Sequence, residues 1–226
     1  MAIVTVDFDG TLFQGNSFNV MFQAGRKQFK FRDWGIVSTG LVKAAFLGAV
    51  KGKEALRHEF FKSFARTFKG KTNEELDAFF QELVDHGKKE VHHDLIHTIR
   101  MHQENGDTVI VLSGALLPFL KAFTKEVKLD VHVISTELLF DEKGHCTGQI
   151  GEIVNGDVKV RKVQEWLDQL SKESLSDNGK ESEIWAYADS ESDIPLLQYV
   201  QYPVVVNPKD EMKKIAEENE WEIFAS

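Results

Sequence analysis

Ile3-Val4-Thr5-Val6-Asp7-Phe8-Asp9-Gly10-Thr11-Leu12 lies at the start of the 226-residue chain and decides how the rest is read. The run from Ile3 to Val6 is apolar, β-branched and short, which predicts a buried strand. Alternation along extended backbone sends residues 7 and 9 to one side, so two carboxylates converge at the strand's carboxyl end, where open α/β sheets place ligand sites. Gly10 lets the chain turn tightly behind them. Such a pair repels itself unless a cation neutralises it, and a hard, oxygen-seeking ion such as Mg²⁺ fits that need. Alone, the same residues also fit an acidic turn in which Asp7, Asp9 and Thr11 only cap backbone groups.

Outward from this strand, similar runs occur at Thr108 to Leu112, Val131 to Ile134, Ile184 to Ala188 and Pro203 to Val206. Helical patterns lie between the later ones, from Leu116 to Val127, Val158 to Leu170, Ile194 to Val200 and Lys209 to Asn219. The alternation predicts a Rossmann-like, doubly wound parallel sheet of the α/β class. The rhythm breaks once: about a hundred mostly helical residues separate the first two strands, more than a crossover helix needs. Between Phe18 and Phe80 that stretch holds 11 of the 17 phenylalanines, many three or four apart, which predicts an inserted helical cap with its own core. The expected division is a core of residues 1–14 and 88–226 with a cap of 15–87. Leu138 to Ile150 reads as a β-hairpin turning at Asp141-Glu142-Lys143-Gly144, and Ser171 to Glu183 as an exposed loop.

Acid returns at the tip of the strand Ile184 to Ala188, in Asp189-Ser190-Glu191-Ser192-Asp193. At the tip of the second strand stand Ser113-Gly114, a hydroxyl with free backbone N–H groups where a helix is expected to begin, which suits a phosphate; an ordinary N-cap fits equally. The motif Asp7-Phe8-Asp9-Gly10-Thr11-Leu12, Ser113-Gly114, a downstream lysine and Tyr187-Ala188-Asp189-Ser190-Glu191-Ser192-Asp193 together resemble the four ordered motifs of the haloacid dehalogenase superfamily, in its phosphoserine-phosphatase-like branch, subfamily IB.

That resemblance implies a Mg²⁺-dependent phosphomonoester hydrolase acting on a small phosphorylated metabolite. Asp7 is then the nucleophile that forms an aspartyl-phosphate, and Asp9 the acid and base. Ser113, Gly114 and a lysine bind the phosphoryl oxygens. The Asp7 side chain, the Asp9 carbonyl and Asp189 hold the metal, with Asp193 orienting the lysine or a metal-bound water. Lys159 in Gly156-Asp157-Val158-Lys159 matches the lysine motif better than Lys162. Ala188 and Ser192 stand where the family more often has Gly and Asn. In the cap, Arg57 resembles a substrate-binding arginine, with Arg26 and Arg66 behind it; each also reads as a solvated cation. Gln14-Gly15-Asn16 lacks the acid that holds the amino group in phosphoserine phosphatases, which argues against phosphoserine itself. A phosphotransferase on the same site and an inactive binding module are the alternatives.

A net charge of −9 disfavours nucleic acid as a partner. The single cysteine, Cys146, suits a reducing compartment, and no export signal is evident, so cytoplasmic residence is expected. Ile36 to Val50 is shorter than a bilayer span and includes Lys43, which predicts an amphipathic or buried helix rather than a membrane partner. His93 and His97 have the spacing of a helical zinc site but lack a convincing third ligand, and Gly70-Lys71-Thr72 follows no strand and so is no P-loop.

Overall fold

The computed structural model describes residues 1–173 and 183–225, and the side chains at positions 51, 53, 54, 57 and 173 lie outside the described residues as well. In chain order the elements are β1 (Ile3–Val6), α1 (Ser17–Gln28), α2 (Phe31–Lys51), α3 (Lys53–Thr67), α4 (Asn73–Gly87), α5 (His93–Glu104), β2 (Thr108–Leu116), α6 (Leu117–Glu126), β3 (His132–Thr136), β4 (Leu138–Phe140), β5 (Cys146–Ile150), α7 (Asp157–Glu173), β6 (Ile184–Ala188), α8 (Ile194–Tyr199), β7 (Tyr202–Val206), α9 (Asp210–Glu218) and β8 (Glu222–Phe224). Short 3₁₀ turns occupy Lys88–Glu90 and Glu191–Asp193.

Six strands pair in parallel in the order β3-β2-β1-β6-β7-β8. The chain winds outward from β1 through β2 and β3, then crosses back to lay β6 against β1's other edge. The reversal between β1 and β6 is the topological switch point of the sheet, and its carboxyl side is where a ligand crevice opens. β1 shows why its residues suit a strand covered on both faces. Val4 and Val6 enter a core shared with α1, α3, α4 and α6, while Ile3 enters a second core with Val163, Leu197 and Met212. Thr5 is buried too, its hydroxyl donating to the Trp185 carbonyl at 2.9 Å. The sixth strand, β8, escapes the sequence reading because it has three residues, opens on the exposed Glu222 and contains no apolar run of strand length.

Helices α1 to α4 fill the long gap after β1. Phe60, Phe61, Phe64, Phe68, Phe79 and Phe80 are buried together, with rings 4.8 to 5.8 Å apart where they touch. α4 begins at a capping box, in which Thr72 Oγ1 accepts the Glu75 N–H and Glu75 accepts the Thr72 N–H. The β4–β5 hairpin clasps the turn before α4 through two backbone bonds between Cys146 and residues 70 and 71. Cys146 is buried there and its thiol is pushed up by burial, which makes it a packing residue. The expected loop Ser171 to Glu183 is helical up to Glu173, and positions 174–182 lie outside the described residues.

α2 differs from its sequence reading. It runs for 21 residues, and its apolar part, Phe31–Val50, is long enough to cross a membrane by length and composition, with 17% of that stretch buried. The shorter reading fails because Phe31 and Trp34, on either side of the Arg32-Asp33 pair, continue the same helix.

Candidate active site

Asp7 directly follows β1 and donates its N–H to the Tyr187 carbonyl of β6 at 2.9 Å, so the two strand tips are locked side by side. Gly10 is required here. Its φ is +83°, and a Cβ would lie 2.2 Å from the Asp189 carboxylate. The turn is drawn in further by Thr11, whose hydroxyl donates to Asp189 Oδ1 at 3.3 Å.

Lys159, on the first turn of α7, is 2% exposed; its ammonium donates to Asp7 Oδ1 at 2.6 Å and to Asp193 Oδ1 at 2.5 Å. Asp193 also accepts from the Ser190 hydroxyl at 2.9 Å. One oxygen each of Asp7, Asp189 and Asp193 lies within 4.8 Å of the others. Burial pushes Asp7 up to about 8, with Lys159 pulling the other way and Asp193 and Asp189 adding to the rise. Burial, and then Asp193, push Asp189 up to about 6. Burial works against the Lys159 ammonium as well, but Asp193 and Asp7 outweigh it and hold its pKa above the ordinary lysine value. These directions describe one shortage, since the buried Asp7 and Asp193 and the half-buried Asp189 share a single ammonium. An all-oxygen, negatively charged donor set of this kind fits a hard divalent cation.

Asp9 stands outside that group. Its two oxygens accept the N–H and hydroxyl of Ser17 at 2.7 and 2.6 Å, so it anchors the start of α1 to the tip of β1. Ser113 is buried, and its hydroxyl accepts the Ala115 N–H at 3.2 Å. It is not an N-cap: β2 continues through an irregularity between Ser113 and Leu116, and α6 begins only at Leu117. The bulge turns Ser113 and Gly114 into the cavity instead of feeding them directly into a helix.

The cavity measures about 600 Å³ and is lined by Asp7, Asp9, Ser113, Gly114, Lys159, Asp189 and Asp193 together with residues the sequence reading left out. Among the latter are Phe18, Asn19 and Phe61 from α1 and α3, and Glu90, Asn155, Asn207 and Lys209 from the core. Asn207 carries a signal that could have found it, because it stands one residue beyond the carboxyl end of β7, the position where this sheet class places ligand contacts, with φ +41°. Lys162 lies one turn along α7 and pairs with Glu165 at the surface. The Arg57 side chain lies outside the described residues; Arg66 pairs with Glu59 at 3.2 Å, and Arg26 is exposed on α1. His93 and His97 are not buried on α5, and the metal-capable group found among the described residues is the aspartate cluster.

Three carboxylates and a buried lysine thus meet at the switch point of a parallel sheet, an arrangement suited to a divalent cation and an anionic ligand. The chain belongs to the haloacid dehalogenase-like hydrolase family, whose model matches residues 4–198. A histidinol-phosphatase of Neisseria meningitidis serogroup C is 32% identical over 131 residues, 56% of this chain and 55% of that protein, so the chain spans about half the length of that relative. A phosphoserine phosphatase of Mycobacterium tuberculosis is 27% identical over 96% of this chain and 68% of its own length. A crystal structure of a protein of unknown function from Bordetella pertussis Tohama I shares the fold, with a TM-score of 0.80 and 20% identity across 99% of this chain and 97% of that one.

Proposed function

We propose that this chain hydrolyses small phosphomonoesters in a Mg²⁺-dependent reaction, with Asp7 as the nucleophile. The observation that carries this reading is the convergence of Asp7, Lys159, Asp189 and Asp193 at the switch point, facing Ser113 and Gly114 across one cavity. Phosphatases named for histidinol phosphate and phosphoserine among the relatives support the substrate class without selecting a molecule. Residues 1–14 and 88–226 form the catalytic core in this account, and 15–87 a cap that contributes Phe18, Asn19 and Phe61 to the cavity wall.

Asp7, the Asp9 carbonyl and Asp189 would hold Mg²⁺, with Asp193 beside them. The ion would supply charge neutralisation for the phosphoryl oxygens and the carboxylates around them. Ser113 and the Gly114 N–H orient those oxygens, and Lys159 balances their charge while keeping Asp7 turned into the cavity. Asp7 attacks phosphorus as the ester oxygen departs, leaving an aspartyl-phosphate. Asp9 gives that oxygen its proton, then takes one from the water that attacks phosphorus and restores the Asp7 carboxylate. The Ser17 N–H and hydroxyl, which donate to the two Asp9 oxygens, hold that carboxyl group at the start of α1.

Phosphate release from a panel of phosphomonoesters tests the reading, using the purified chain with Mg²⁺ and with a chelator. The expected result is turnover that chelator removes and Mg²⁺ restores. No turnover across sugar phosphates, phosphorylated amino acids and amino-alcohol phosphates would overturn it, and transfer of the phosphoryl group to added alcohols would reassign it to a phosphotransferase.

A further inference from the structure

α2 is apolar on the side it shows to solvent as well as on the side it packs. Its inner residues Val37, Gly40 and Ala44 are buried against α3, so closely that a Cβ at Gly40 would lie 1.7 Å from the Ser63 hydroxyl. Lys43 is tied to Glu59 of α3 at 2.9 Å. On the outer side Phe31, Val42, Phe46 and Val50 are 96%, 74%, 69% and 67% exposed, and Ala45 and Ala49 between them are exposed too. Positions 42, 45, 46, 49 and 50 recur at helical spacing, and 31 falls on the same face three turns earlier. A surface helix of an ordinary soluble domain reverses this pattern, with its charges outside.

Charge is distributed just as unevenly. Residues 17–67 carry ten Lys and Arg against three Asp and Glu, a formal +7, while the remainder carries 17 against 33, a formal −16. Arg26, Lys27, Lys30 and Arg32 are exposed around the amino end of the apolar face, and Lys51 and Lys53 follow its carboxyl end in sequence. α2 packs along α3 on its inner side, so the helix can lie on a bilayer but cannot be surrounded by one. A second copy of the chain would bring two segments of +7 together, which opposes self-association through this face.

We propose that the outer face of α2 docks peripherally on an anionic lipid surface. Val42, Phe46 and Val50 enter the headgroup boundary, and the surrounding basic residues meet the lipid phosphates. The inference is independent of the proposed catalytic activity, because none of these residues lines the cavity.

Co-sedimentation of the full chain with vesicles tests it, using phosphatidylcholine alone and an equimolar mixture with phosphatidylglycerol. Binding is expected to the mixed vesicles, weakened by salt and reduced about tenfold or more in Val42→Glu/Phe46→Glu, with circular dichroism unchanged. Lys30→Gln/Arg32→Gln leaves the apolar face intact and should weaken the same binding by about 25-fold, since each basic residue near such a surface contributes on the order of fivefold. Absence of wild-type binding to the mixed vesicles would overturn the proposal, as would binding that neither variant alters. Light scattering that shows a dimer broken by Val42→Glu/Phe46→Glu, without vesicle binding, would reassign the face to a second copy.

Discussion

Replacing Lys159 by Met would remove the ammonium that stands among the buried Asp7 and Asp193 and the half-buried Asp189 while keeping a chain of similar length. In the native protein this ammonium stands 2.6 Å from Asp7 and 2.5 Å from Asp193, and all three groups are nearly free of solvent. Removing one member of a buried pair leaves its partner desolvated and uncompensated, which typically costs about 3–5 kcal/mol. For a chain of this size that corresponds to a fall in Tm of roughly 6–20 °C. The loss should depend on pH. Without Lys159 the raised pKa of Asp7 climbs further, so the variant keeps its Asp7 proton at pH 8 while the native protein has begun to lose it, and the loss should be smaller at pH 5 than at pH 8. Urea unfolding followed by circular dichroism, in chelator, measures both values. Adding Asp193→Asn to the variant should recover about 1 kcal/mol or more at pH 8, because it deletes one of the stranded charges. A loss below about 1 kcal/mol at pH 8, or one that is no smaller at pH 5, would refute the charge account of this cluster.

The wild-type chain in chelator should itself lose stability as pH rises. Asp189 and Asp7 have folded values near 6 and 8 against 3.8 for an ordinary aspartate, so the folded state holds the extra protons, and stability present below about pH 4 is lost through pH 8. The Asp189 share is on the order of 2–3 kcal/mol, and Mg²⁺ should restore more stability at pH 8 than at pH 5, as urea midpoints with and without the ion will show. Phe64→Ala, at a fully buried ring among the helices after β1, should destabilise by about 3–5 kcal/mol in the same assay. Ser113→Ala should lower kcat/KM for a phosphomonoester by roughly 10–100-fold through loss of a hydrogen bond to a charged oxygen, and steady-state kinetics with no change would remove Ser113 from phosphate binding.

The sheet was legible in the sequence because five of its six strands are apolar runs too short to be helices, and β8 was missed because an edge strand of three residues needs no such run. The site was legible where acid or hydroxyl stands at a strand's carboxyl end, as at Asp7, Ser113 and Asp189. Lys159 was preferred over Lys162 only by its resemblance to a glycine-then-lysine motif, since no physical pattern in the sequence reveals that one lysine of α7 reaches two aspartates while Lys162 reaches Glu165. Glu90, Asn155 and Lys209 were invisible for a related reason: they reach the cavity by tertiary placement, and nothing in their neighbourhood marks it. α2 was read as a helix but too short, because Arg32 and Asp33 interrupt the apolar stretch in the sequence without interrupting the helix.

Acid-quenching the enzyme during turnover and mapping the phosphorylated peptide tests the central claim most directly. The account predicts an acid-stable, base-labile phosphate on the peptide that contains Asp7, absent from Asp7→Asn, which should retain the fold and lose turnover. Near-normal turnover by Asp7→Asn, or phosphate carried on another residue, would contradict it.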